Sequence, residues 1–294
     1  MLQFLHVQQI IVISFLVAAA INDLKKREVP NWVNYGLVAV GISFGLLQSV
    51  IASDWHFIIF SIAGAIAALA LASLMFYTGQ WGGGDSKLLI GVGAVLGLSF
   101  ATASPFMAIS DQFVSFLFNL VAVSLFYAIA MGLFLVLKNK NKFTAELKNQ
   151  MQSYAALRKF VLAAAVVGLI IIAAANDILV RLSIVIILVA MFFGLYLSIM
   201  AKAVEKACML KKVSPLKLTE GDWIASDVVV GGKRICGPKD LGIEQSQIKQ
   251  LVALYKRKKV RYVTVKEGIP FAPTFLLAYF VTIFLGNIFI FFLR

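Results

Sequence analysis

The sequence predicts an all-α polytopic membrane protein of about eight transmembrane helices, carrying a small cytoplasmic α+β insertion. Three observations lead there. Of the 294 residues, 61% are hydrophobic and only 14% are charged, so the apolar surface exceeds what one soluble core could hide. The apolar residues fall in runs of about 17–25, the length at which a helix spans a bilayer. Lysine and arginine gather in alternate loops, the asymmetry that orients membrane proteins.

The expected spans are residues 4–22, 33–52, 57–78, 88–109, 113–137, 160–176, 178–200 and 271–293. The first is not expected to be a cleavable signal peptide: it lacks a basic n-region and a small-residue cleavage site, and Lys25, Lys26 and Arg27 follow it. The run from 160 to 200 is too long for one helix, and Asn176, Asp177 and Arg181 divide it into two joined by a tight turn. Cytoplasmic loops are marked by Lys25 to Arg27, by Lys87, and by Lys138, Lys140, Lys142, Lys148, Arg158 and Lys159. The alternate loops near Asp54, Asp111 and Asp177 carry only Arg181 as a base. Both termini are therefore expected outside the cytoplasm. The net charge of +13 follows from this bias and from attraction to anionic lipid, and it calls for no nucleic-acid partner.

Four regions follow in order. Residues 1–137 form an N-terminal membrane part, 138–200 a basic loop and two further spans, 201–270 a cytoplasmic α+β module, and 271–294 a final transmembrane helix. Within the module, Trp223 to Val230 reads as a strand before the Gly231-Gly232 turn, and Val260 to Val265 alternates like another. Between them, Ile248, Leu251, Val252 and Tyr255 have helical spacing. The module suits a substrate platform or a membrane-docking element, unless it is a solvated connector. Glu220, Asp222, Asp227 and Glu244 are its candidates for meeting a basic peptide.

Two aspartates stand out. Asp23 ends the first apolar run in Asn22-Asp23-Leu24-Lys25-Lys26-Arg27-Glu28-Val29-Pro30-Asn31, and Asp85 closes Gly82-Gly83-Gly84-Asp85 before the fourth. A carboxylate beside hydrocarbon costs several kcal/mol if ionised and unpaired, which makes it a functional candidate. Two spans separate them, so they emerge on one face at similar depth, whereas Asp54 and Asp111 fall on the other. Only Glu28 competes for a place beside them. Taken singly, Asp85 could cap the fourth helix, and Asp23 could neutralise the basic cluster that follows it. Taken together, two carboxyl groups facing one space can share a proton and activate water, one of them being held above its ordinary range by repulsion and burial.

The inventory argues against other chemistries. The two histidines, His6 and His56, are expected near the outer face, so no imidazole serves a triad or a metal site beside the aspartates. Cys208 and Cys236 form no C-x-x-C pair and read as reduced thiols. Gly82-Gly83-Gly84-Asp85-Ser86-Lys87 lacks the spacing of a phosphate loop, and Gly91, Gly93 and Gly97 read as close helix packing.

The combination of Asp23, the following Lys/Arg and Val29-Pro30-Asn31 with Gly82-x-Gly84-Asp85-x-Lys87-Leu88-Leu89 two spans later resembles the type IV prepilin and archaeal preflagellin peptidases, which are GxGD aspartyl membrane proteases. Lys266-Glu267-Gly268-Ile269-Pro270-Phe271-Ala272-Pro273 before the last span resembles an extension of the archaeal members. The resemblance is dense in 15–110 and looser in 215–294, and segment 139–200 maps to no motif. It implies that Asp23 and Asp85 are the catalytic pair, supported by Gly82, Gly84, Lys87, Pro30 and Asn31. It further implies peptidase activity alone, no metal or cofactor, and substrates that are prepilin- or preflagellin-like precursors with a short basic leader cut at the cytoplasmic membrane edge. Two alternatives stay open. An intramembrane protease of the presenilin or signal-peptide-peptidase type would hold its pair deeper in the bilayer. A proton-coupled transporter would show internal repeats and mid-span charges.

Overall fold

The computed structural model describes residues 2–99 and 111–293. The chain is a helical membrane protein with a small α+β region. Among the described residues six helices are long and apolar enough to cross a membrane. They are α1 (Leu2–Lys26), α2 (Asn31–Ala52), α3 (His56–Tyr77), α5 (Gln112–Lys138), α7 (Ala155–Ala174) and α8 (Ile178–Val204). The other two expected spans differ. Helix α4 (Gly83–Leu96) ends at Gly97, whose φ of 68° breaks the helical run, and most of the remainder of the expected span 88–109 lies outside the described residues. The last span is α10 (Ala272–Leu285), which Gly286 (φ 72°) separates from the short α11 (Ile288–Leu293).

The chain forms two compact units, residues 1–130 with 268–294, and residues 131–267. In the first, α2, α3 and α4 pack tightly and α10 lies along α1. Small residues allow that closeness. A Cβ added at Gly91 would lie 2.6 Å from Leu37 Cβ, and one at Gly93 would lie 2.5 Å from Ala68 Cβ, so only glycine fits the contact of α4 with α2 and α3. Val12, Leu16, Leu37, Leu88, Leu89, Phe116, Phe275 and Tyr279 are buried together in its core.

Turn chemistry sets the helix ends. The α1–α2 connection places Arg27 at φ 61°, and the Pro30 carbonyl accepts from Val33 N at 3.0 Å to open α2. Asp54 Oδ1 accepts from His56 N at 3.0 Å at the start of α3. Asp111 Oδ1 accepts from Phe113 N at 2.9 Å at the start of α5, while its Oδ2 accepts from Ser99 N and Oγ at 2.9 Å. Asp111 is the N-cap of α5, and Asp54 holds the first main-chain N–H of α3 from one position before its N-cap, Trp55. Asn119 of α5 holds the break in the last span: its amide donates to Thr282 Oγ1 at 3.0 Å and to the Gly286 carbonyl at 2.7 Å, and its carbonyl accepts from Ile288 N at 3.0 Å.

The second unit begins with the end of α5 and α6 (Lys140–Ser153). The basic segment after the fifth span is thus largely helical, because Phe143, Leu147 and Met151 recur every fourth residue: Phe143 is buried, and Leu147 and Met151 pack against Leu195 and Ile199 of α8. The α7–α8 hairpin turns at Ala175 to Asp177, where Asp177 Oδ1 accepts from Leu179 N at 2.8 Å. Beyond α8 come β1 (Leu210–Val213), β2 (Trp223–Ile224), β3 (Val228–Val230), β4 (Lys233–Cys236), α9 (Gln245–Lys256) and β5 (Val263–Lys266).

The three-stranded sheet runs β1-β5-β2, all antiparallel, with Lys212 opposite Thr264 and Ile224 opposite Val265. Strands β3 and β4 form a separate hairpin about Gly231 and Gly232, both at positive φ as such a turn requires. The expected continuous strand from Trp223 to Val230 is therefore two strands in two sheets. Asp227, in the gap, pairs with Arg234 Nε at 2.7 Å and so draws the chain toward β4. A capping box of Glu244 and Gln247 starts α9, which packs Ile248 and Leu251 onto Ile224, Val263 and Val265.

Candidate active site

Both aspartates belong to the first unit. Asp23 lies one turn from the end of α1 and is buried, with 7% of its surface exposed. Its Oδ2 accepts a hydrogen bond from Ala272 N at 2.8 Å, and the Phe271 main-chain N–H also reaches the carboxylate. Asp85 lies in the first turn of α4 and is half-buried. Its carboxyl group takes no hydrogen bond from a described residue. The Asp85 carboxyl group lies within electrostatic range of Asp23.

The two sequence motifs meet along the start of α2 and α4. Lys87 Nζ donates to Asn31 Oδ1 at 3.0 Å and sits over the Tyr35 ring, 5.9 Å from its centroid. A Cβ on Gly84 would touch Val29 Cβ at 3.3 Å, and one on Gly82 would face Asp85 Oδ2 at 3.8 Å, so the glycines let the loop lie close to the first motif and to the carboxyl group. Pro30 supplies the opening carbonyl of α2. Glu28, the competing acid, is exposed on the connection.

Aromatic packing joins the second motif to the start of α10. Trp81, just before Gly82, lies 5.4 Å from the Phe271 ring and 5.9 Å from the Phe275 ring, and the latter two lie 5.6 Å apart. Phe116 of α5 closes the group at 6.0 Å from Phe275. The segment that carries Asp85 and the one that holds Asp23 thus pack against each other.

The Arg27 guanidinium, of the basic cluster that follows Asp23 in sequence, lies within electrostatic range of it. Other neighbours escaped the sequence reading. The Tyr127 hydroxyl on α5 also lies within electrostatic range of Asp23. Asn34, one turn into α2, is 1% exposed with both side-chain atoms unpartnered, as is the buried hydroxyl of Ser86 beside Asp85. A lone Asn or Tyr within an apolar run carries no spacing signal, so nothing in the sequence separates these from ordinary packing positions. Cys208 and Cys236 are both free thiols in the second unit. The open apolar groove between α7 and α8, which Phe160, Gly168, Ile184 and Met191 help to line, offers no polar group for chemistry.

Chemically, a buried carboxylate with fixed main-chain donors beside a second carboxyl group is suited to proton transfer to and from water.

Residues 10–137 match the sequence profile of the type IV leader peptidase family. Among curated proteins, the preflagellin peptidase of Methanocaldococcus jannaschii is 33% identical over 127 residues, 42% of this chain and 54% of that protein. The preflagellin peptidases of Methanococcus maripaludis and Methanococcus voltae are 35% and 36% identical over 81 residues, 28% of this chain and 35% and 34% of theirs. The chain thus spans from about a third to about half of the length of the curated relatives it matches. No solved structure matches it significantly.

Proposed function

We propose that the protein, whose residues 10–137 match the profile of the type IV leader peptidase family, is a membrane-embedded aspartic endopeptidase acting on prepilin- or preflagellin-like precursors. It removes their short basic leader at the cytoplasmic membrane edge, with Asp23 and Asp85 as the catalytic pair. The observation that carries the reading is the meeting of the two motifs, Lys87 Nζ on Asn31 Oδ1 at 3.0 Å, with the Asp85 carboxyl group within electrostatic range of Asp23, inside the segment that matches the family profile.

One carboxylate takes a proton from water as the water oxygen attacks the scissile carbonyl carbon. The other, protonated, gives its proton to the carbonyl oxygen. In the resulting diol the protons run back, one to the departing amine nitrogen as the C–N bond breaks and one to the second carboxylate. Water is consumed and both groups return to their starting forms. The supporting residues act on geometry: Lys87 and Asn31 tie α4 to α2, while Gly82 and Gly84 let the main chain approach.

Lysine and arginine outnumber the acids in 201–270, so this region is suited to anionic lipid headgroups better than to a basic leader. In this reading it lies on the cytoplasmic side with the basic loops. Co-expression with a tagged precursor, read as loss of the leader on a gel, tests the peptidase activity.

A further inference from the structure

We propose that the first turn of α10 is part of the catalytic centre, and that the Ala272 main-chain N–H fixes Asp23 as the proton-accepting member of the pair. The inference rests on the peptidase reading and deepens it, by assigning to each aspartate the step it performs.

The start of α10 turns its main-chain donors on Asp23, the Ala272 N–H first and the Phe271 N–H beside it. A helix start has unpaired N–H groups that must find acceptors outside the hydrogen-bonding ladder. In α10 the Ala272 N–H goes to Asp23 Oδ2 at 2.8 Å. Pro273 has no N–H. The Thr274 N–H is taken by the Phe271 carbonyl at 2.9 Å, which also accepts from the Thr274 hydroxyl at 2.6 Å. Ala272 and Thr274 have no exposed surface and Asp23 has 7%, so water competes weakly for this contact. The positive end of the helix dipole points the same way.

A main-chain N–H complements a carboxylate oxygen and gives nothing to the O–H of a carboxylic acid. Asp85 occupies the first turn of α4 yet takes no such donor from a described residue. That asymmetry orders the chemistry. Asp23 begins ionised and takes the proton from water as the new C–O bond forms, and Asp85 gives its proton to the carbonyl oxygen. Asp23 then passes its proton to the amine nitrogen as the C–N bond breaks, and Asp85 recovers one from the diol. The other charged and titratable groups facing Asp23 are Arg27 on its own helix, Asp85 of α4 and Tyr127 of α5.

The test replaces the amide by an ester. Ala272→lactic acid, introduced by nonsense suppression into the full-length protein in detergent, removes the N–H and keeps the side chain. The same change at Leu276, one turn along α10, is the control for a lost helical hydrogen bond. Dicyclohexylcarbodiimide, which reacts with protonated carboxyl groups in apolar surroundings, is followed by mass mapping at neutral pH. In the unmodified protein Asp85 labels and Asp23 is spared, whereas the ester at 272 raises Asp23 labelling about tenfold and the ester at 276 leaves it unchanged. In leader cleavage the ester at 272 lowers kcat about tenfold with KM little changed, and moves the acid limb of the rate profile to higher pH. Equal labelling of Asp23 in the unmodified and 272-ester proteins, or an equal rise with the ester at 276, overturns the inference. Labelling does not require turnover, so a protein that spares Asp23 yet cleaves no precursor overturns the peptidase reading alone.

Discussion

The Lys87 ammonium donates to the Asn31 side-chain carbonyl at 3.0 Å, joining residues 56 positions apart at the first turns of α4 and α2. This contact ties the helix that carries Asp85 to the motif that follows Asp23. Lys87→Met and Asn31→Leu should each slow leader cleavage several-fold. The melting temperature in detergent should move by only a few degrees, because an exposed charged hydrogen bond contributes about 1 kcal/mol or less. The double variant should be no slower than the slower single one. Fully additive losses would mean that the two residues act separately.

Close packing of α4 against α3 should be the most sensitive point of the membrane core. Gly93→Leu would drive a side chain into the space held by Ala68 and the Gly64 main chain. Overpacking of this kind costs about 1–3 kcal/mol or more, enough to lower the melting temperature by several degrees. The contrasting change is Gly132→Leu, where an added Cβ meets nothing within 4 Å. Equal melting temperatures for the two variants would refute the packing account.

Membrane orientation can be read by thiol labelling in a background with Cys208 and Cys236 replaced by alanine. Asn141→Cys and Lys258→Cys should react with an impermeant reagent only after the cytoplasmic face is opened, and Ser53→Cys should react in intact cells. The basis is the lysine and arginine bias of alternate loops. Labelling at position 258 in intact cells would put region 201–270 on the wrong side for the proposed reaction.

In the proposed mechanism the two aspartates activate water without a metal, and neither motif contains histidine or cysteine. Cleavage should therefore persist in EDTA at an undiminished rate. Loss of activity that zinc alone restores would replace the aspartyl mechanism with a metal-assisted one.

Much of the membrane fold is legible because a bilayer imposes length and apolarity on each helix separately, and those are local properties of the chain. Asp23 and Asp85 stand out in the sequence as a candidate pair for a similar reason: a carboxyl group is rare next to hydrocarbon, and counting spans leads one to expect both on one face. The contact between Asp23 and Ala272 is not legible. It joins residues 249 positions apart through a main-chain N–H, which leaves no trace in residue identity. Helix α6 is masked by its polarity, since Phe143, Leu147 and Met151 sit among lysines, glutamine and asparagine. Trp223 to Val230 divides between two sheets, with Asp227 in the gap paired to Arg234, again a tertiary arrangement that local pattern cannot rank.

The most direct measurement is leader removal from a tagged precursor by purified protein, compared with Asp23→Asn, Asp85→Asn and Glu28→Gln. An amide cannot shuttle a proton, so both aspartate variants should reach the membrane in normal amounts and cleave at least about a hundredfold more slowly. Glu28→Gln, at an exposed position, should retain most of the activity. Cleavage by either aspartate variant at a rate near that of the unaltered protein would contradict the account.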